Sequence, residues 1–428
     1  MPFITNQAAD TLPTPPGRTE TTAAYRVAFV NTHPIQYFAP LYAYLTRTGR
    51  FDLTALYLSD FSLRGGHDRG FGRAVTWDVD LLSGYTPKFM GKAASRRRIG
   101  GFFSMVGLEL WGAIRTGRFD AVVINGHNLA AHHVALAAAR SAGVPVFTRG
   151  ETHPRLKRSR WREALRNRPL KSWYSLFDGC LAIGTANARY YYLMGVPTDR
   201  VVVMPYAVDN ERYVASARQT AEQRAATRAR IGIKSVAPAI LYAAKFDRRK
   251  RPDDLVRAYA LLRKEGVAAE LVMVGSGALE SDLKALVAEL DLDGVTFPGF
   301  VNQAELPRLY SACDVFALPS ENEPWGLAVN EAMCAGLPIV LSEEIGCVED
   351  LVTPGVNGAT FDAGDVEGLA AALKPLLVDT GYRARAARAS LERIERWSYR
   401  ECATALETAI ARARLRRRIA GNARTLER

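Results

Sequence analysis

Two carboxylates, Glu323 and Glu331, stand eight positions apart in the segment F-A-L-P-S-E-N-E-P-W-G-L-A-V-N-E-A-M-C-A-G-L-P-I-V, residues 316–340. Pro324-Trp325-Gly326 reads as a turn, and an apolar helix after it carries Glu331 until Gly336 stops it. Leu337-Pro338-Ile339-Val340 then begins a strand. At about 1.5 Å of rise per residue, two such acids lie roughly 12 Å apart along a helix. That span suits an extended ligand with a phosphate in its middle, because the first N–H groups of a helix are unpaired and attract an anion.

Elements of matching type surround this unit. A β-rich run at Tyr25–Asn31 ends in Thr32-His33-Pro34-Ile35-Gln36, and a helix follows to about Thr46. Strands are predicted at 53–58, 121–125, 145–149, 179–183 and 201–204, with helices at 130–142 and 186–194 between them. The pattern pauses near Pro205–Asp209. A polar helix over 215–231 precedes a second series, with strands at 239–243, 270–274, 295–298 and 315–318 and helices at 252–265, 279–290 and 303–312. Alternation of this kind predicts two parallel-sheet α/β domains, with a ligand site in the cleft between their strand ends. The expected division is a disordered leader over 1–24, domains over 25–205 and 206–381, and a basic helical tail over 382–428 that partly returns to the first domain.

A chain of 428 residues is long for one α/β domain and agrees with two. The five cysteines are scattered without a C-x-x-C pair. They point to reduced thiols in a cytoplasmic protein and away from a zinc site or disulfide framework. Residues 1–205 carry 26 Lys/Arg against 13 Asp/Glu, while 206–428 carry 30 against 31, so the whole net charge of +12 belongs to the first half. An anionic partner for that half is expected.

With these motifs in order, the chain resembles glycosyltransferase family 4, a retaining group with the GT-B fold. The resemblance covers about 25–400. Its carriers are Glu323 and Glu331 as an E-x7-E signature, Y-A-A-K-F-D-R-R-K-R-P-D-D-L with Lys245 and Lys250, V-M-V-G-S-G-A-L, and V-T-F-P-G-F-V. In the first half, many members have a Gly-Gly pair after the first strand, where this chain has His33-Pro34-Ile35-Gln36.

The resemblance implies sugar transfer from a UDP- or GDP-sugar, with no cofactor and no metal. Lys245 and Lys250 would neutralise the charge that builds on the leaving diphosphate. Glu323 would accept hydrogen bonds from the sugar hydroxyls and Glu331 from the ribose, as a carboxylate accepting charge-assisted bonds does well. Trp325, Gly326, Leu327, Gly275 and Val301 would line the donor pocket, with His33 and Gln36 on the acceptor and phosphate loop. For the acceptor side, His127, Glu151 and His153 follow strand ends and could orient a hydroxyl or take its proton.

Other patterns are weaker. Asp78-Val79-Asp80 is a D-x-D that binds metal in a different fold but lies outside the donor half. Gly275-Ser276-Gly277 lacks the G-x-G-x-x-G spacing. Residues 149–171 carry nine Lys/Arg against two Glu, with Trp161 interleaved, and Arg96-Arg97-Arg98 precedes an apolar stretch with Phe102 and Phe103. Cations beside apolar residues suit an anionic bilayer better than nucleic acid. The expected acceptor is a saccharide or lipid-linked saccharide of a surface-glycan pathway, met at the inner face of the cell membrane. The rival readings are a GT-B epimerase or phosphorylase, and a non-catalytic, membrane-bound nucleotide-sugar-binding subunit.

Overall fold

In the computed structural model, residues 23–65, 67–68, 72–91, 100–156 and 160–426 are described. Residues 1–22 of the leader, Arg96–Arg98, Lys157 and Arg158 lie outside them. Seven strands form the first sheet: β1 (Tyr25–Asn31), β2 (Phe51–Tyr57), β3 (Thr86–Phe89), β4 (Ala121–Asn125), β5 (Val146–Arg149), β6 (Gly179–Ala182) and β7 (Val201–Val203), in the order β3-β2-β1-β4-β5-β6-β7. Six form the second: β8 (Ala239–Ala243), β9 (Glu270–Val274), β10 (Val295–Gly299), β11 (Val315–Leu318), β12 (Ile339–Ser342) and β13 (Gly358–Phe361), in the order β10-β9-β8-β11-β12-β13. All pairings within both sheets are parallel. Their central strands are buried along almost their whole length, as helices on both faces require.

In each sheet the strand order reverses once, between β1 and β4 and between β8 and β11. The crevice beyond the strand ends at such a reversal is where open α/β sheets bind ligands. The loops after β1, β5, β8 and β11 therefore face a common cleft.

Two predicted helices are broken. The expected 215–231 helix is two, Asn210–Ala217 and Ala221–Arg230. Thr220 starts the second with a capping box: its hydroxyl accepts from Gln223 N, and its own N–H donates to Gln223 Oε1. The tail is also two helices, Thr380–Ile394 and Tyr399–Leu426. The last runs back over the first domain, where its arginines meet acids at the far ends of the strands. Arg416 pairs with Asp199 at 3.3 Å and Arg417 with Asp178 at 2.8 Å, while Arg414 pairs with Asp120. Three of the tail's arginines are thus paired with carboxylates of the first domain. Among the described residues no helix is long and apolar enough to cross a membrane.

Candidate active site

The cleft holds a cavity of about 400 Å³ lined by both domains. Twelve of the fourteen residues singled out above line it: His33, Gln36, Glu151, Lys245, Lys250, Gly275, Val301, Glu323, Trp325, Gly326, Leu327 and Glu331. His127 and His153 do not.

Local backbone chemistry explains how the second domain aims its groups. Lys245 follows β8, and its carbonyl accepts from the Tyr242 hydroxyl at 2.9 Å. Asp247 then accepts from the amides of Arg249 and Lys250, turning the chain so that Lys250 points into the cleft. The Lys250 loop is joined to the loop after β11 by Glu321 N–H donating to Arg249 O at 2.7 Å. Within that second loop Asn322 (φ 51°) and Gly326 (φ 92°) flank Glu323-Pro324-Trp325 in the left-handed region. That conformation suits Asn and Gly better than other residues. The double turn presents Glu323 to Lys250, and their side chains form an ion pair. Gly275 is required by crowding: a Cβ there would lie 2.0 Å from Ala244 O.

Glu331 sits on the helix Leu327–Cys334 and is only 2% exposed. Tyr310 donates to its Oε2 at 2.9 Å. Burial pushes its pKa up, opposed by the phenols of Tyr213, Tyr310 and Tyr37 and by the Arg212 charge. Oε1 is buried and makes no hydrogen bond of good geometry among the described residues, although the Tyr213 and Tyr37 phenols lie close enough to act on the carboxyl. An unmet acceptor of this kind costs free energy until a donor fills it.

The wall from the first domain is aromatic and less charged. Glu151 follows β5, open to the cavity yet hemmed in by protein, and desolvation raises its pKa. Tyr206 donates to its Oε1 at 2.7 Å. Buried Arg149 lies over the rings of Tyr206 and Phe38, at 5.3 and 5.7 Å, and lowers the carboxyl's pKa in part. His33 is desolvated, and its pKa falls to about 4. At neutral pH it offers a neutral imidazole, with Nδ1 2.9 Å from the Thr32 hydroxyl.

The two other histidines have different surroundings. His153 Nε2–H donates to the Glu323 carbonyl at 3.0 Å, so it props the Glu323 loop from behind. His127 packs edge-on against Tyr174, 6.3 Å between ring centres, beside the helix Arg160–Ser175. Asp78 Oδ1 accepts from Ala304 N across the cleft at 3.0 Å, and Asp80 accepts from the amides of Leu82 and Ser83. Neither aspartate is directed at the cavity, and among the described residues no cluster of three or more His, Cys, Asp or Glu gathers to hold a metal.

Sequence reasoning did not single out Tyr37, Tyr206, Tyr213 and Tyr310, which come from four separate segments. It also passed over Arg155 as an inter-domain tie. Arg155 was expected on the basic face, but its guanidinium pairs with Glu349 and donates to Glu343 O at 3.0 Å, with Arg189 sharing Glu349. Thr185, in the first domain, donates its amide to Asp350 Oδ2 at 2.8 Å.

The model of the family "Glycosyl transferases group 1" matches residues 223–393. This is the segment that carries Lys245, Lys250, Glu323 and Glu331. A D-inositol 3-phosphate glycosyltransferase of Xylanimonas cellulosilytica is 34% identical over 230 residues, 53% of this chain and 54% of that protein. The amylovoran biosynthesis glycosyltransferase AmsK of Erwinia amylovora is 30% identical over 187 residues, 42% of each chain. The chain thus spans about half the length of the curated relatives it matches. Among solved structures, Anabaena HepE in complex with UDP and glucose superposes with a TM-score of 0.67 at 17% identity, covering 90% of this chain and 99% of that one. A glycosyltransferase from Rickettsia africae superposes at 0.69 with 15% identity, covering 91% and 99%. The shared architecture is GT-B: two parallel-sheet α/β domains facing across a cleft.

Proposed function

We propose that the chain is a retaining glycosyltransferase that moves a hexose from a nucleotide-sugar donor to a saccharide or lipid-linked acceptor. The observation that carries this reading is Glu331 Oε1, buried, without a hydrogen bond of good geometry among the described residues, on a side chain that lines the same cavity as Lys245, Lys250 and Glu323. A ribose hydroxyl would satisfy it. The two lysines then meet the diphosphate, and Glu323, already paired with Lys250, receives the sugar hydroxyls. HepE, which shares the fold, was solved with UDP and with UDP-glucose.

In the reaction the bond between the anomeric carbon and the phosphate oxygen breaks, the acceptor oxygen bonds to that carbon on the same face, and the acceptor hydroxyl's proton passes to the departing phosphate oxygen. Lys245 and Lys250 stabilise the charge left on the phosphate, so no metal is needed for that step. Glu151 orients the acceptor hydroxyl. Retention of configuration rests on the likeness to family 4.

The acceptor belongs to surface-glycan assembly at the cytoplasmic face of the membrane. Support comes from the name of AmsK and from an exposed apolar face on the basic domain: Phe103 is 79% and Leu108 69% exposed, with Phe102 and Trp111 beside them. Arg115 lies 5.8 Å from the Trp111 ring. Apolar side chains next to cations suit an anionic bilayer surface.

Melting temperatures with a panel of UDP- and GDP-sugars test the donor assignment, since a ligand that binds only the native state raises stability. One nucleotide class should give a shift that Glu331→Ala removes. No shift with any member would sink the reading.

A further inference from the structure

The sheet order fixes the direction in which a donor would lie. Glu323 follows β11, Lys245 follows β8, Gly275 follows β9, and Phe300 and Val301 follow the edge strand β10, with the order β11-β8-β9-β10 across the sheet. On the donor reading, with the sugar at Glu323 and the diphosphate at the lysines, the nucleobase points to the β10 edge. There the cavity wall is Phe300, Val301 and Gln303 of the second domain and Val75 and Trp77 of the first.

The segment bearing Trp77 is tied to that edge on both sides of the indole. Asn302 Nδ2 donates to Thr76 O at 2.8 Å, and Ala304 N donates to Asp78 Oδ1 at 3.0 Å. The Trp77 and Phe300 rings are 6.2 Å apart and inclined at 54°, and both residues line the cavity. Arg73 lies over the Phe300 ring, 5.2 Å from its centre. Both hydrogen bonds are exposed to water, where each is worth little net and can be released to admit a ligand.

We propose that Trp77 stacks on the nucleobase of the donor, so that the N-terminal domain completes the nucleotide site and closes it. This rests on the donor reading above. Every base has a π-face, and an aromatic side chain on it strengthens binding without hydrogen-bond readout. Trp77 therefore adds affinity for the nucleoside part and none for the phosphates.

The test is calorimetric titration of the full chain with UDP, GDP and inorganic diphosphate, for the wild type, Trp77→Leu, Trp77→Ala and Trp77→Phe. Trp77→Leu keeps apolar bulk without the ring, and melting curves check that each variant is folded. Trp77→Leu and Trp77→Ala should weaken the preferred nucleotide by roughly 5- to 100-fold, while Trp77→Phe stays within about 3-fold. Affinity for diphosphate should be unchanged throughout. Wild-type nucleotide affinity in folded Trp77→Leu would overturn the proposal. So would an equal loss for nucleotide and diphosphate, which would mean a distorted cleft. If the wild type binds neither UDP nor GDP, the donor reading falls and this inference with it.

Discussion

The two walls of the cleft solve different problems. The C-terminal wall is made of short strand-end loops whose backbone is fixed by Gly275, Asn322 and Gly326 and whose charges are paired in place, Lys250 with Glu323. The N-terminal wall is aromatic, with a neutral His33 and one carboxyl, Glu151, held by a phenol. The first suits a charged ligand of set shape; the second leaves one polar group in a desolvated setting. On the proposed function, charge stabilisation and acceptor choice fall to separate domains, and each can be broken alone.

The largest effect should come from the charged wall. Lys250→Ala or Lys245→Ala should each slow turnover by about 10²–10³-fold, as losing one oxyanion donor does. Lys250→Ala combined with Glu323→Ala should cost less than the sum of the single changes, because the pair acts as a unit. Steady-state kinetics of the four proteins checks this; strict additivity would separate the two residues.

A middle-sized effect is expected at Glu331. Glu331→Gln should weaken nucleotide binding by about 10- to 150-fold, since a hydrogen bond to a charged acceptor contributes roughly 1.5–3 kcal/mol. The same change should raise the melting temperature of the ligand-free protein at pH 7. The sign follows from burial: the folded-state pKa is raised, so the fold favours the protonated acid. That contribution is fully present below the unfolded value, near 4.3, and is lost as pH rises through the folded value. The gain in Glu331→Gln should therefore vanish in acid. Equal melting of the two proteins at pH 7 would contradict the account.

The smallest effect on the site should come from the outer face of the aromatic domain. Phe103→Ser with Leu108→Ser should reduce binding to acidic-lipid vesicles by about 10-fold or more, at roughly 1.5–3 kcal/mol per buried apolar side chain, and leave donor binding intact. Arg155 is unsuitable for this test because it ties the domains through Glu349. Equal cosedimentation of wild type and variant would remove this face from the account.

The strands that frame the site were legible because each is a short apolar run between turn residues; β1, β4, β8, β9 and β11 have the bounds that the sequence suggests. The edge strand β3, Thr-Pro-Lys-Phe, escaped notice because a half-exposed edge carries Pro and a charge instead of an apolar run. The cleft residues of the second domain were also legible, since a strand-end loop encodes its own turn and charges within a few positions. Surroundings assembled over distance were not. The phenols about Glu331 come from residues 37, 213 and 310, and the partners of Glu151 from 149 and 206. His127 and His153 show the converse: both follow strand ends, yet packing turns one toward Tyr174 and the other behind the Glu323 loop.

The most direct measurement is release of nucleoside diphosphate from UDP- and GDP-sugars by the purified chain in the presence of a metal chelator, wild type against Lys250→Ala. The account predicts release from one nucleotide class by the wild type, unaffected by chelator and about 10²–10³-fold slower in the variant. Release that stops with chelator and returns with manganese, or that is equal in the two proteins, would contradict the claim that Lys245 and Lys250 carry the leaving group's charge.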